Sequence, residues 1–242
     1  MGSLSAVWHD VECAAYVADL DVWRRLADDA GGPILDLGCG TGRIALDLAS
    51  HGYEVTGVDS DPDLIEALGT RARERGLQVE ALLGDARSFE LGRTFALVIS
   101  PMQVVQLLGG PDGRRSMFAT VRRHLDAGGT FAAALANPFE GVPDDELGPP
   151  VPDIREYDGW VYSSTPVGIR RVKDWFLIDR RREAVSPQGE RTEESSTIVL
   201  DTLGAERFES EAAPHGFAAG PIRHVAPTSE YVGSDVVVLE AV

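Results

Sequence analysis

The sequence predicts an α/β fold: a seven-stranded, mostly parallel sheet flanked by helices, with an antiparallel β insert before the last helix. Three observations carry this reading. Short apolar runs such as "FALVIS" alternate with helix-length amphipathic segments up to residue 137, and strands separated by helices pair in parallel with both faces covered. The alternation stops at "PFEGVPDDELGPPVPD", a stretch of proline, glycine and acid that predicts a loop. From residue 160 to 201 the texture becomes long, partly alternating strands.

Taken in order, residues 7–29 predict one helix, because Val7, Val11, Ala14, Ala15, Ala18, Val22 and Leu26 recur near 3.6-residue spacing with acids opposite. "PILDLG" is the first strand, and 41–50 an apolar-faced helix. "YEVTGVD" is the second strand, followed by a helix over 62–75. Asp61 is its expected N-cap, Pro62 its first turn, and Gly76 its end. "QVEALLGD" and "FALVIS" are the third and fourth strands, 113–125 a helix, and "GGTFAAALAN" the fifth strand. The insert reads as three or so strands, "WVYSSTPV", "IRRVKDWFLIDRRREAV" and "ERTEESSTIVL", the last two joined through "SPQG". A helix over 203–213 and the strands "GPIRHVAP" and "DVVVLEAV" complete the sheet. The expected organisation is one domain, 1–140 with 202–242, interrupted by a β-rich insert at 141–201 that serves as lid, substrate wall or dimer contact.

The 242 residues, 43% hydrophobic, suit one full-sized domain. No apolar run approaches the roughly 20 residues of a membrane helix. Residues 1–10 lack the basic start and apolar core of a signal peptide. Cys13 and Cys39 supply neither a disulfide framework nor a metal-ligand spacing. A cytoplasmic protein with no metal and no membrane partner is expected. The formal charge is -17 and the only lysine is Lys173. A field of that sign repels phosphate backbones and anionic lipid within about a Debye length. The basic runs, Arg170-Arg171 and Arg180-Arg181-Arg182, lie among carboxylates, so nucleic acid is not an expected partner.

Chemistry concentrates in "ILDLGCGTGRIALDLA", where three glycines at every second position follow a strand and open a helix. Backbone N–H groups at a helix N-terminus form a ligand cradle, and glycine permits close approach. The dinucleotide pattern G-x-G-x-x-G fails because position 43 is arginine, and a P-loop fails for want of a lysine. Asp36, two residues before the first glycine, repels a pyrophosphate but accepts from an ammonium group. The loop therefore suits a zwitterionic ligand.

This arrangement resembles the first motif of the class I S-adenosylmethionine-dependent methyltransferases, and further matches follow in order. "VTGVDSD" ends in Asp59, where that family holds both ribose hydroxyls; such charge-assisted bonds are worth on the order of 1.5–3 kcal/mol. "LLGDARSF" places Asp85-Ala86 where the family holds adenine, and "VRRHLDAGGTFAAAL" resembles its helix, Gly-Gly turn and fifth strand. The resemblance covers residues 16–137 and implies a Rossmann-like fold with S-adenosyl-L-methionine as cofactor and S-adenosyl-L-homocysteine as product. Carried over residue by residue, it implies cofactor contacts at Tyr16, Asp36, Gly38, Cys39, Gly40, Gly42, Asp59, Ser60, Asp85, Ala86 and Ser100.

The segment "SPMQVVQLLGG" after the fourth strand should face the sulfonium methyl. It lacks the second proline and the aromatic residue of the nucleic-acid amino-methyltransferases, and "NPF" at 137–139 ends the fifth strand instead. The chain most resembles the small-molecule branch, a methyltransferase-domain-25-like group. In such relatives an N-terminal helix and the insert fold over cofactor and acceptor, which points to Trp8, His9, Tyr16 and Trp23 on one side and Arg170, Trp175 and Arg180 on the other. The expected reaction is in-line methyl transfer to a small molecule, an amine before a hydroxyl, with no dedicated base. Alignment alone can supply roughly 7–11 kcal/mol. His9 and Gln103 are the candidates for holding the acceptor. His51 and His124 are expected to cap helices. A protein or RNA methyltransferase is one alternative, and a non-catalytic S-adenosylmethionine or S-adenosylhomocysteine binder is another. A homodimer is left open.

Overall fold

The computed structural model describes residues 3–136, 151–228 and 231–242. Most of the predicted proline-rich loop, together with the "NPF" triplet, lies outside the described residues. The elements run α1 (Leu4–Cys13), α2 (Leu20–Ala30), β1 (Ile34–Leu37), α3 (Arg43–Ser50), β2 (Val55–Asp59), α4 (Pro62–Glu74), β3 (Val79–Leu83), β4 (Phe95–Ser100), α5 (Pro111–Arg123) and β5 (Leu125–Leu135). Four strands follow, β6 (Asp153–Tyr157), β7 (Trp160–Val172), β8 (Trp175–Val185) and β9 (Arg191–Asp201), then α6 (Ala205–Ala212), β10 (Phe217–Val225) and β11 (Ser234–Ala241).

Seven strands form the main sheet in the order β10-β11-β5-β4-β1-β2-β3. The pairs β1–β2, β1–β4, β2–β3 and β4–β5 are parallel, and β11 runs antiparallel to both its neighbours. The central strands are apolar because both faces are covered. On one face Phe118, Val121 and Phe208 of α5 and α6 pack on Leu35, Val98 and Phe131. On the other, Trp23, Leu48 and Leu68 of α2, α3 and α4 pack on Ile34, Leu97 and Ala132. Trp23 is thus a wholly buried core residue rather than part of a lid. Its indole donates to Asp19 at 2.8 Å.

The single helix expected over 7–29 is two helices. The chain breaks at residues 14–19, where Arg43 donates to the Tyr16 carbonyl at 2.9 Å and to Asp19 at 2.6 Å. A guanidinium from α3 takes the backbone acceptor that a continuous helix would use. Asp61 caps α4 as expected, accepting from Asp63 N at 2.9 Å.

The insert is a separate four-stranded antiparallel sheet in the order β6-β7-β8-β9, one strand more than the three or so predicted. The segment read as one strand over 169–185 turns back at Lys173-Asp174, with Lys173 at φ +56° and Val172 paired to Trp175. Asp158 and Gly159, both at positive φ, join β6 to β7 in the same way. Helix α1 belongs to this sheet by packing. Val7, Trp8 and Val11 cluster with Tyr162 and Ala184, and Trp8 meets Tyr162 edge-on at 5.3 Å.

Candidate functional site

The order of the main sheet reverses between β1 and β4, and in such sheets ligands bind beyond the carboxyl ends of the strands at that point. Three structures meet there: the glycine loop after β1, the segment after β4, and the layer formed by α1 with the four-stranded sheet.

Gly40 and Gly42 each stand at positive φ, +55° and +93°. A Cβ on Gly42 would lie 2.3 Å from Leu68 Cδ1, so this glycine lets α4 pack against the start of α3. A Cβ on Gly40 would lie 2.2 Å from His9 Nε2, so this glycine lets the His9 imidazole of α1 cover the loop. The Gly40 N–H donates to Asp59 Oδ2 at 2.9 Å, and Asp61 N–H donates to Asp59 Oδ1 at 3.0 Å. These bonds fix the Asp59 carboxylate beside the loop and leave it further lone pairs for a ligand.

Asp36, at the end of β1, is 1% exposed, and among the described residues its Oδ1 has no hydrogen-bond partner. Burial pushes its carboxyl up to about 7, against the pull of Arg43 and with a further push from Asp59. A buried carboxylate oxygen with nothing to accept from is costly unless a ligand supplies the donor. An ammonium group meets that need.

A cavity of about 330 Å³ opens from this carboxylate. Its floor is Asp36, Gly38 and Cys39; Met102, Gln103 and Leu107 of the segment after β4 form one side. The roof is the inner face of the four-stranded sheet, with Pro166, Ile178, Ile198 and Leu200, and α1 adds His9, Glu12 and Cys13. The cavity's two cations are both committed. Arg43 pairs with Asp19 at 2.6 Å, while Arg180 binds Asp153 and Ser164 and lies 3.5 Å from Glu12. Burial pushes the Cys13 thiol up to about 12 and the Cys39 thiol well above its usual range, so neither is a nucleophile.

Helix α1 is pinned over the cavity by buried polar contacts. Asp10, 2% exposed, accepts from Thr41 Oγ1 at 2.7 Å, from both Arg71 terminal nitrogens and from Tyr157 at 3.0 Å. Burial would raise its carboxyl, but the bonds from Arg71 and Thr41 hold it below the usual range. Glu12 takes Arg182 at 2.8 Å and Ser164 at 2.8 Å.

Of the residues predicted from sequence, Asp36, Gly38, Cys39, His9 and Gln103 line the cavity, and Gly40 and Asp59 are joined beneath the His9 ring. Tyr16 lines a smaller neighbouring cavity with Gln103 and Tyr231. Ser100 is fully buried, its hydroxyl donating toward the Leu37 carbonyl at 3.4 Å, and does not line the cavity. Ser60 is exposed beyond β2. Asp85 is held by Arg87 at 2.6 Å, which keeps its carboxyl below the usual range, and Ala86 packs on the core. Arg180 faces the cavity as expected, but Arg170 points to the opposite face of its sheet and pairs with Asp179 at 2.9 Å. His51 and His124 cap α3 and α5. The residues the sequence reading missed are Asp10, Thr41, Glu12 and the apolar wall Ile178, Ile198 and Leu200. The alternation of the insert strands could have found that wall, since paired even-numbered positions share one face.

Residues 34–129 match the model of a methyltransferase domain family. A stretch of 110 residues is 31% identical to the cypemycin N-terminal methyltransferase of a Streptomyces species, covering 46% of this chain and 44% of that protein. The chain spans less than half the length of the curated relatives it matches. Its fold is similar to that of CalS10, an amino pentose methyltransferase from Micromonospora echinaspora solved with S-adenosylmethionine, with TM-score 0.73, 22% identity and coverage of 98% of this chain and 97% of that one. It is similar too to that of the sugar N-methyltransferase KedS8 from Streptoalloteichus, with TM-score 0.74, 20% identity and coverage of 98% and 93%.

Proposed function

We propose that the chain is a class I S-adenosylmethionine-dependent methyltransferase and that it transfers the methyl group of that cofactor to a small-molecule acceptor, an amine before a hydroxyl. The observation that carries this reading is the continuity of one cavity, from the Asp36 oxygen without a partner among the described residues and the glycine loop to the apolar wall of the four-stranded sheet. About 330 Å³ is the size of a small-ligand site.

The residues fit the cofactor. Asp36 would accept from its ammonium group, Gly38 and Gly40 would let its chain pass close to the loop, and Asp59 would take its ribose hydroxyls. When bound, the cofactor supplies a sulfonium methyl open to in-line displacement. The protein's part is alignment and exclusion of water, which α1 and the four-stranded sheet provide by roofing the cavity. A neutral amine is itself a nucleophile, whereas a hydroxyl usually wants a base. With Arg43 and Arg180 both paired to acids, the described residues of the cavity offer no uncommitted cation for a phosphorylated acceptor. The relatives named for amino-terminal, amino-sugar and sugar-nitrogen acceptors support the amine reading.

The test is incubation with methyl-tritiated S-adenosylmethionine and separate pools of amines, sugars, phenols, peptides and RNA. Label in the amine pool, which includes amino sugars, is expected. Label in RNA or peptides alone would overturn the acceptor class, and binding without transfer to any pool would leave a cofactor-binding protein rather than an enzyme.

A further inference from the structure

The imidazole of His9 is the one ring that α1 lays on the glycine loop, and its surroundings decide which nitrogen carries the proton. Asp10 is an ionised, acceptor-only carboxylate clamped by Arg71. The single hydroxyl proton of Thr41 is therefore donated to Asp10 Oδ1, at 2.7 Å. Toward His9 Nδ1, 3.3 Å away, the same hydroxyl can only accept. Nδ1 must then carry the proton, and Nε2 is left as a bare lone pair. Among the described residues Nε2 takes up no hydrogen bond; it lies beside Gly40, whose N–H is bonded to Asp59, and His9 lines the cavity.

We propose that His9 Nε2 is a fixed hydrogen-bond acceptor for a ribose hydroxyl of the cofactor, holding from α1 the sugar that Asp59 holds from β2. The proposal rests on the cofactor reading above. It follows from placement: Gly40 separates the two acceptors, so a hydroxylated ring bound at Asp59 lies against the glycine that Nε2 covers. Asp59 keeps its hold on the ribose from β2, and His9 adds a further acceptor for one of the same hydroxyls from α1. The ring is fit for this because its helix cannot drift. Asp10 ties α1 to α4 and β6, Glu12 ties it to β7 and β8, and Ser5 donates to Asp61 at 2.6 Å. Burial lowers the imidazole's affinity for a second proton, against the pull of Asp10 and Asp59; Arg71 lowers it further, and Glu12 opposes. The neutral form that can accept is therefore the resting form. Thr41 is a positioning residue in this arrangement, acting on the cofactor through the tautomer of His9.

The experiment is calorimetric titration of S-adenosylhomocysteine at neutral pH, together with the imidazole nitrogen NMR spectrum of the wild type. His9→Phe, which keeps the ring and removes both nitrogens, should bind about tenfold more weakly. Thr41→Val should weaken binding in the same direction, and Thr41→Ser, which keeps the hydroxyl, should restore it. In the wild type the His9 signals should report a proton on Nδ1 only, and the Nε2 resonance should move on saturation with S-adenosylhomocysteine. The NMR result stands without any variant, should His9→Phe fail to fold. Binding by His9→Phe within twofold of wild type, or a proton found on Nε2, would overturn the proposal while leaving the cofactor reading intact. A folded wild type that does not bind S-adenosylhomocysteine would instead bring down the cofactor reading itself.

Discussion

Arg114 and Asp201 form an ion pair closed to solvent, with side-chain exposures of 0% and 2%. Arg114 lies in the first turn of α5, and Asp201 is the last residue of β9. The guanidinium also takes Glu211 of α6 at 2.6 and 2.9 Å. The pair thus fastens the four-stranded sheet to the main domain, next to Leu200, which lines the cavity. Gln106 works alongside it, donating to the carbonyls of Ala136 and Asp201 at 3.0 Å each and accepting from Ala136 N at 2.9 Å.

Removing one partner of a buried pair leaves an uncompensated charge, at a cost of about 3–5 kcal/mol. Arg114→Ala is expected to lose that much in urea unfolding. A loss under about 1 kcal/mol would mean that water reaches Asp201 and supplies the missing donors, contradicting a closed pair.

Asp36 links stability and binding through one proton. Its folded value of about 7 exceeds that of an unfolded aspartate, so the native state holds the proton more tightly. The cost of ionising it is absent below about pH 4, grows between pH 4 and 7, and is complete above pH 7. Its size is up to about 4 kcal/mol. Asp36→Asn should therefore raise the melting temperature of the ligand-free protein at pH 8 and change it little at pH 4.5. The same variant should bind S-adenosylhomocysteine more weakly at pH 8, because the ammonium loses its carboxylate. For the wild type, affinity should climb with pH toward 7 as Asp36 ionises. Equal melting temperatures at pH 8 would contradict the burial of this carboxyl with one oxygen unpaired.

Two glycines with similar φ separate backbone strain from site geometry. Gly31 is at +62° with open space where a Cβ would go, and Gly40 is at +55° with His9 Nε2 2.2 Å from that point. Gly31→Ala should cost about 1 kcal/mol and leave ligand binding unchanged. Gly40→Ala should cost more and weaken S-adenosylhomocysteine binding by about tenfold or more, since it displaces His9 from the loop. Thermal shift with and without the ligand reads both effects, and normal binding by Gly40→Ala would refute the placement of His9.

Much of this was legible in the sequence where the signal is local. Apolar runs marked β1, β2, β4 and β5, and the glycine spacing with Asp36 and Asp59 marked the loop. What escaped depends on partners far away in the chain. The break between α1 and α2 follows from Arg43 reaching back to Tyr16 and Asp19, while Ala14, Ala15 and Ala18 continue the helical rhythm. The turn at Lys173-Asp174 carries no glycine, so the charged run read as one strand. β6 was marked by the hairpin dipeptide Asp158-Gly159, a local signal that went unread. The role of Thr41 is visible only once Asp10 and His9 are brought to it from 31 and 32 residues away.

The central claim, that the glycine loop with Asp59 holds S-adenosylmethionine and its product, is tested most directly by melting the protein with and without S-adenosylhomocysteine. At a hundredfold excess over Kd a single-site ligand adds about 2.7 kcal/mol, or roughly 5–10 °C for a chain of this length. The wild type should show that rise, and Asp59→Ala should lose most of it relative to its own ligand-free melting point. No rise at saturating ligand would contradict the account.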